Sequence, residues 1–162
     1  MNQPFKNYRP MNARWARNDR AAANRVLVVQ ADPAMRAMLA ETVAAAGADL
    51  FEVHTGCEAL DVLAAGFRGA VILDGNLPDA DGLTVLARIR TMDPSLPVIY
   101  ATDELARGRA KERALDDAFA FCDSGELLAC LPTLLVEALN AMGRDAVSSQ
   151  APAARPSLRS VA

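Results

Sequence analysis

The chain is short of the residues that build most metal, redox and hydrolytic sites. It holds three cysteines and one histidine. Cys57, Cys122 and Cys130 are odd in number and show no C-x-x-C spacing, which argues against a disulfide framework and against a zinc site. Small buried or half-buried thiols are the expectation. His54 stands without a cysteine or aspartate cluster, so it marks no metal centre. Without a G-x-S-x-G motif it completes no hydrolytic triad either. A glycine-rich phosphate loop is also absent, and a metabolic enzyme is not expected. No apolar run approaches the ~18 residues that a membrane span needs. The opening MNQPFKNYRPMNARWARNDR contains no hydrophobic stretch and so no secretory signal. No membrane span and a cytoplasmic location are the expectations that follow.

What is present is an uneven distribution of charge. The formal net charge is −3. Residues 1–25 carry six basic side chains against one acid, whereas residues 26–142 carry eight basic and eighteen acidic ones. An acidic body is ill suited to nucleic acid, so direct DNA binding is not expected. Residues 1–24 lack sustained apolar periodicity and read as a basic, disordered tail, with Trp15 as a candidate anchor for a short docking helix. Residues 143–162, GRDAVSSQAPAARPSLRSVA, read as a disordered Ala/Pro/Ser tail. The folded domain is expected over 25–142.

Within that span, strand and helix signals alternate. VLVV (26–29) is a short apolar run suited to a strand buried on both faces. Asp32 and Pro33 then supply an N-cap and a first helical residue, and Gly47 a stop. Met35, Met38, Leu39, Thr42 and Val43 form the apolar stripe of that helix. LFEVH (50–54), AVILD (70–74), PVIYAT (97–102) and AFAF (118–121) read as further strands. Residues 56–65, 83–92, 103–115 and 124–141 read as further helices. This pattern predicts an α/β protein, a flavodoxin-like (βα)5 three-layer sandwich whose parallel sheet has the order 2-1-3-4-5. In such sheets the site lies at the carboxyl ends of the strands. Gln30, Ala31, Asp32, Asp74, Thr102 and Cys122 are the residues placed there.

Asp74 closes an apolar strand and is followed by the turn GNLPDADG (75–82). A carboxylate in that position serves as a phosphoryl acceptor, a metal ligand or a cap on the following loop. VLVVQADPAMR, HTGCEAL, VILDGNLPDADGL and LPVIYAT together resemble the receiver domain of bacterial response regulators, the CheY-like fold, over about residues 25–141. The resemblance implies that Asp74 accepts a phosphoryl group from a histidine kinase. It implies that Asn76 lends a backbone carbonyl to magnesium, that Thr102 contacts the phosphoryl group, and that Phe119 is the switch aromatic on the fifth strand.

Three positions depart from that pattern. The acidic pair after the first strand falls on Gln30 and Ala31, and the lysine ending the fifth strand falls on Cys122. Magnesium prefers hard, usually anionic, oxygen ligands, and phosphoryl transfer leans on cationic charge. The expectation is therefore a degenerate, single-domain receiver (a pseudo-receiver) acting through protein contacts. No cofactor is expected, and magnesium only if Asp32 and Asp74 form a residual site. Two alternatives stand beside it. One is a phospho-accepting receiver using Asp74 in a phosphorelay. The other is a cyclic di-GMP effector using Arg107, Arg109 and Arg113, whose guanidinium forks suit phosphates. A histidine kinase, a phosphotransferase or another output protein is the expected partner. The face formed by residues 103–115, the last strand and the Leu-rich last helix is the candidate docking and homodimer surface.

Overall fold

The computed structural model describes residues 24–103 and 118–148. Nearly all of the expected basic tail, residues 104–115 of the expected fourth helix with Arg107, Arg109 and Arg113, and most of the C-terminal tail lie outside the described residues. Five parallel strands form one sheet in the order β2-β1-β3-β4-β5. They are β1 (Arg25–Val29), β2 (Asp49–Val53), β3 (Ala70–Asp74), β4 (Val98–Ala101) and β5 (Ala120–Cys122). The helices are α1 (Pro33–Ala45), α2 (Gly56–Ala64), α3 (Gly82–Met92) and α4 (Leu127–Ser148). The flavodoxin-like order expected from the sequence is the one observed.

The sheet is buried on both faces because its central strands have no polar side. Side chains alternate along a strand, so each apolar run feeds two cores. Leu27 and Val29 of β1 join Val71 and Leu73 of β3 and Val98 and Tyr100 of β4 in the core beneath α2 and α3. Val26 and Val28 join Ala70, Ile72, Ile99 and Ala101 in the core beneath α1 and α4. The register aligns these layers, with Val28 opposite Ile72 and Ile72 opposite Ile99.

The helices begin where the sequence supplies caps. Asp32 accepts from Met35 N–H at 2.7 Å and Pro33 occupies the first turn of α1. Thr55 caps α2 through Glu58 N–H, and Asp81 caps α3 through Leu83 N–H. Gly47 ends α1 with φ +70, a left-handed conformation that a side chain would strain.

Four details differ from expectation. Leu39 and Val43 of the α1 stripe are buried, but Met38 is 41% exposed, because it sits at the edge of a cleft instead of over the sheet. Strand β5 starts at Ala120, so Phe119 precedes it; the Phe119 N–H still bonds the Val98 carbonyl at 2.9 Å. Cys57 is exposed, at the start of α2. Finally, α4 runs past residue 142 to Ser148, since neither Gly143 nor the following polar residues stop a helix already anchored by Leu127, Leu131, Leu135 and Ala138. By length and composition Leu127–Arg144 would also cross a membrane, with mean hydropathy 1.3. Its four anchors against the sheet instead make it a core helix of this domain.

Replacing Leu135, which is fully buried, by alanine is expected to cost about 2–5 kcal/mol in urea unfolding. The same change at Val136, on the outer face of α4, is expected to stay within about 0.5 kcal/mol. Equal effects at the two positions would contradict the described placement of α4.

Candidate functional site

The carboxyl ends of β1, β3, β4 and β5 meet at one edge of the sheet. Gln30 directly follows β1, where its N–H bonds the Val53 carbonyl at 3.1 Å. Asp74 is the last residue of β3 and lies opposite Ala101, which in turn lies opposite Cys122. Thr102, next after Ala101, is buried and its N–H bonds the Cys122 carbonyl at 3.2 Å. Gln30, Asp74, Thr102 and Cys122 are thus brought together by strand register alone. A cleft of about 290 Å³ opens beside them, lined by Gln30, Asp32, Ala34, Met35, Met38, Asp74, Asn76, Asp103 and Ser124.

The loop after Asp74 is held close by its glycines. A Cβ on Gly75 would fall 2.7 Å from Thr102 Cβ and Oγ1, so only glycine lets β4's end pack against this backbone. Gly75 N–H bonds the Ala101 carbonyl at 2.6 Å. Gly82 N–H returns to the Gly75 carbonyl at 3.1 Å, and Asn76 bridges Asp81, which closes the loop on itself. Asp79 then fastens the loop to α2. Its two carboxylate oxygens accept from Gly56 N–H at 2.8 Å and Cys57 N–H at 2.9 Å. Burial opposes its ionisation, but the bonds from Cys57 and Gly56 outweigh burial and hold the Asp79 carboxyl below its usual range.

Gln30 is the central polar contact of the site. It is 8% exposed. Its Oε1 accepts from Asp32 N–H at 2.9 Å, and its amide hydrogen-bonds the Asp74 carboxylate. Asp74 also accepts from Asn76 N–H at 3.1 Å. Burial, reinforced by the charge of Asp103, nevertheless pushes the Asp74 carboxyl above its usual value, against these hydrogen bonds. Ala31 contributes only backbone, and its carbonyl and that of Gln30 each accept from Arg36 Nη1 at 2.9 Å. Burial pushes the Cys122 thiol up to about 11, so an uncharged sulfhydryl ends β5.

These residues offer a divalent ion little. Oδ1 of Asp32 is engaged in capping α1, and Gln30 Oε1 is taken by a backbone N–H. Among the described residues no three His, Cys, Asp or Glu side chains converge as a ligand set. What remains is the Asp74 carboxylate, the Asn76 carbonyl, the second oxygen of Asp32 and the Asp103 carboxylate at the cleft rim, oxygens that do not gather into one ligand set for a cation that wants near-octahedral oxygen.

Sequence reasoning missed Arg36 and Asp79. Arg36 lies four residues past the N-cap, on the face of α1 that returns to the strand end, so helical spacing was the available signal. Asp79 caps a helix 23 residues away, and nothing local announces such a contact.

A five-stranded parallel sheet with an acid-centred cleft at its carboxyl edge is the arrangement that the resemblance to receiver domains implies. A family model for the response regulator receiver domain matches residues 26–121, and the chain belongs to that family. It is 33% identical over 101 residues to the C4-dicarboxylate transport transcriptional regulatory protein DctD of Rhizobium meliloti, covering 62% of this chain and 22% of that protein. It is 40% identical over 90 residues to the response regulator protein FleR of Pseudomonas aeruginosa, covering 56% and 19%. It is 36% identical over 89 residues to the response regulator MprA of Mycobacterium avium, covering 55% and 38%. The chain therefore spans between a fifth and two fifths of the length of these relatives.

Two solved structures share the fold. A CheY-like receiver domain from Methanospirillum hungatei superposes with a TM-score of 0.68 at 21% identity, covering 75% of this chain and 98% of that one. The receiver domain of the sensor histidine kinase PA1611 of Pseudomonas aeruginosa, which holds a magnesium ion in its active-site cleft, gives 0.65 at 18% identity, covering 72% and 98%.

The raised Asp74 carboxyl has a signed consequence. A carboxyl that is harder to ionise in the folded state burdens the fold wherever it is charged. Asp74→Asn is therefore expected to raise the urea midpoint at neutral pH. The gain should vanish as pH falls through the carboxylate range, where Asp74 is protonated in both states. An unchanged midpoint at pH 7, or a gain that persists in acid, would count against this placement of Asp74.

Proposed function

We propose that this receiver domain of two-component signalling is a pseudo-receiver that acts through protein contacts and does not depend on magnesium-assisted phosphorylation. The observation that carries the reading is the Gln30 amide, which partners Asp74 where the family pattern has acidic metal ligands. With Ala31 beside it and Cys122 uncharged, neither metal nor ammonium charge is on hand to stabilise a transferring phosphoryl group. Asp74, Thr102 and Phe119 keep the family's phosphoacceptor, phosphoryl-contact and switch positions. Here Asp74 serves the loop that follows it, and the exposed Phe119 serves a docking surface with α4. The partner is a signalling protein: a histidine kinase, a phosphotransferase or an output protein. A second copy of the chain is a further candidate. The acidic body makes DNA an unsuitable ligand.

A second reading keeps Asp74 as a working phosphoacceptor. Thr102 favours it, because a hydroxyl residue is retained one strand over, packed against the backbone that follows Asp74. The cyclic di-GMP reading rests on Arg107, Arg109 and Arg113, outside the described residues.

Calorimetric titration with magnesium and beryllium fluoride separates the readings. No heat and no rise in melting temperature are expected at millimolar magnesium. In the Gln30→Asp/Ala31→Asp double variant, magnesium binding is expected to appear. Tight magnesium-dependent fluoride binding by the natural chain would overturn the proposal, and its loss in Asp74→Ala would establish the phosphoacceptor. Cyclic di-GMP added to the same chain is expected to bind no better than an unrelated nucleotide.

A further inference from the structure

The basic leader enters the fold at one end of an uncovered helix face. The Asn24 side-chain amide donates to the Gly47 carbonyl at 2.6 Å. Gly47 follows α1, so the residue that precedes β1 is fastened beside the carboxyl end of that helix. The cleft lies at the other end of α1, where Ala34, Met35 and Met38 line it. Between the two ends Ala34, Met38, Glu41 and Ala45 are exposed and share one stripe at helical spacing. The stripe is apolar except for Glu41, and it leads onto Met38 at the cleft edge. The cleft itself is short of positive charge. Asp32, Asp74 and Asp103 line it, and among the described residues none of the three is in an ion pair. Arg36 of α1 is engaged elsewhere, by the Gln30 and Ala31 carbonyls and by Glu52.

We propose that the leader segment Arg14–Arg20 docks within its own chain, along the exposed face of α1 and into the cleft. Trp15 lies against Met35 and Met38, and the guanidinium groups of Arg14 and Arg17 face Asp74 and Asp103. The segment reads RWARNDR, with three arginines, one aspartate and the chain's only tryptophan. Its chemistry matches the track: an aromatic ring packs well on methionine sulfur, and a guanidinium fork pairs with carboxylates. Its position matches too. The 13 residues of α1 span about 20 Å, which an extended chain covers in about six residues. Counting back from Asn24, Arg17 is seven residues away and Trp15 nine, so both reach the cleft with slack for a bend. The tether keeps the segment at high local concentration, so contacts too weak to hold a free peptide suffice. Docked there, the leader covers Asp74 and the α1 face together, and a partner for either must first displace it. The inference rests on the α1 face and the leader's charge, and not on the pseudo-receiver reading.

Because Trp15 is the only tryptophan, its fluorescence in the full chain reports on this segment alone. Quenching by acrylamide is expected to be severalfold weaker in the native chain than in a synthetic peptide of residues 1–24, with the emission shifted to the blue. Both differences should be independent of protein concentration. Both should shrink in high salt, which screens the arginine–carboxylate pairs. The double variant Arg14→Glu/Arg17→Glu, which leaves the two apolar cores untouched, should return quenching to the peptide's value. Met38→Lys, at an exposed position, should do the same without lowering the urea midpoint. Quenching as strong in the native chain as in the peptide would overturn the proposal. So would protection that survives the double variant, or protection that fades on dilution, which would assign the docking to a second copy of the chain.

Discussion

Everything at the site depends on the two-sided burial of β1 and β3. These neighbouring strands have no polar residue between Val26 and Val29 or between Ala70 and Leu73, and both of their faces are covered. A strand buried on both faces cannot slip by one residue without moving its whole set of side chains. The register is therefore rigid, and the first polar residue after each apolar run emerges at the same level. Gln30 and Asp74 become neighbours through this constraint, before any attraction between them is considered. The hydrogen bond they make follows from the register and is not its cause.

That placement explains how a carboxylate with a raised pKa persists. Asp74 is held half-buried by the sheet beside Asp103, and among the described residues it is hydrogen bonds, not an opposite charge, that favour its ionised form. A buried carboxylate needs hydrogen bonds if it is not paired. Gln30 and the backbone N–H groups of the loop supply them. The glycines at 75 and 82 allow the loop to come near enough to do so, and Asp79 keeps it there by taking the free N–H groups of α2.

The sequence made the frame legible and left much of the site's wiring hidden, for physical reasons. Apolar runs bounded by caps and glycines specify a parallel sheet because periodicity and capping are local. Asp32 and Pro33 could be assigned as a helix start from their neighbours, and the structure places them so. The strand order followed from chirality and the commonness of one topology. By contrast, the Gln30–Asp74 bond and the Asp79 clasp join residues whose approach depends on the tertiary fold. The edge of β5 was misplaced because an edge strand pairs on one side only, and its apolar pattern leaves its start underdetermined. Helix α4 was cut short for the opposite reason. Glycine and polar residues at its end looked like a stop, but a helix anchored by several buried turns tolerates one unfavourable residue.

The departures from the receiver pattern are coherent when taken as charge. Replacing two acids by Gln30 and Ala31 removes negative charge from the edge, and replacing a lysine by Cys122 removes positive charge. Either change alone would leave the site with a charge that has lost its counterpart. An intact acidic pair without the ammonium would be a more repulsive cluster around Asp74, and an intact ammonium without the pair would bind Asp74 outright. Made together, the changes leave Asp74 facing only the residual negative charge of Asp103, with amide and backbone dipoles as its hydrogen-bond partners. The fold tolerates this because its stability resides in the two apolar cores, and the carboxyl edge contributes little to either. On the proposed pseudo-receiver reading, such a domain would keep the shape of a receiver while hydrogen bonding takes the place of the metal chemistry at its centre.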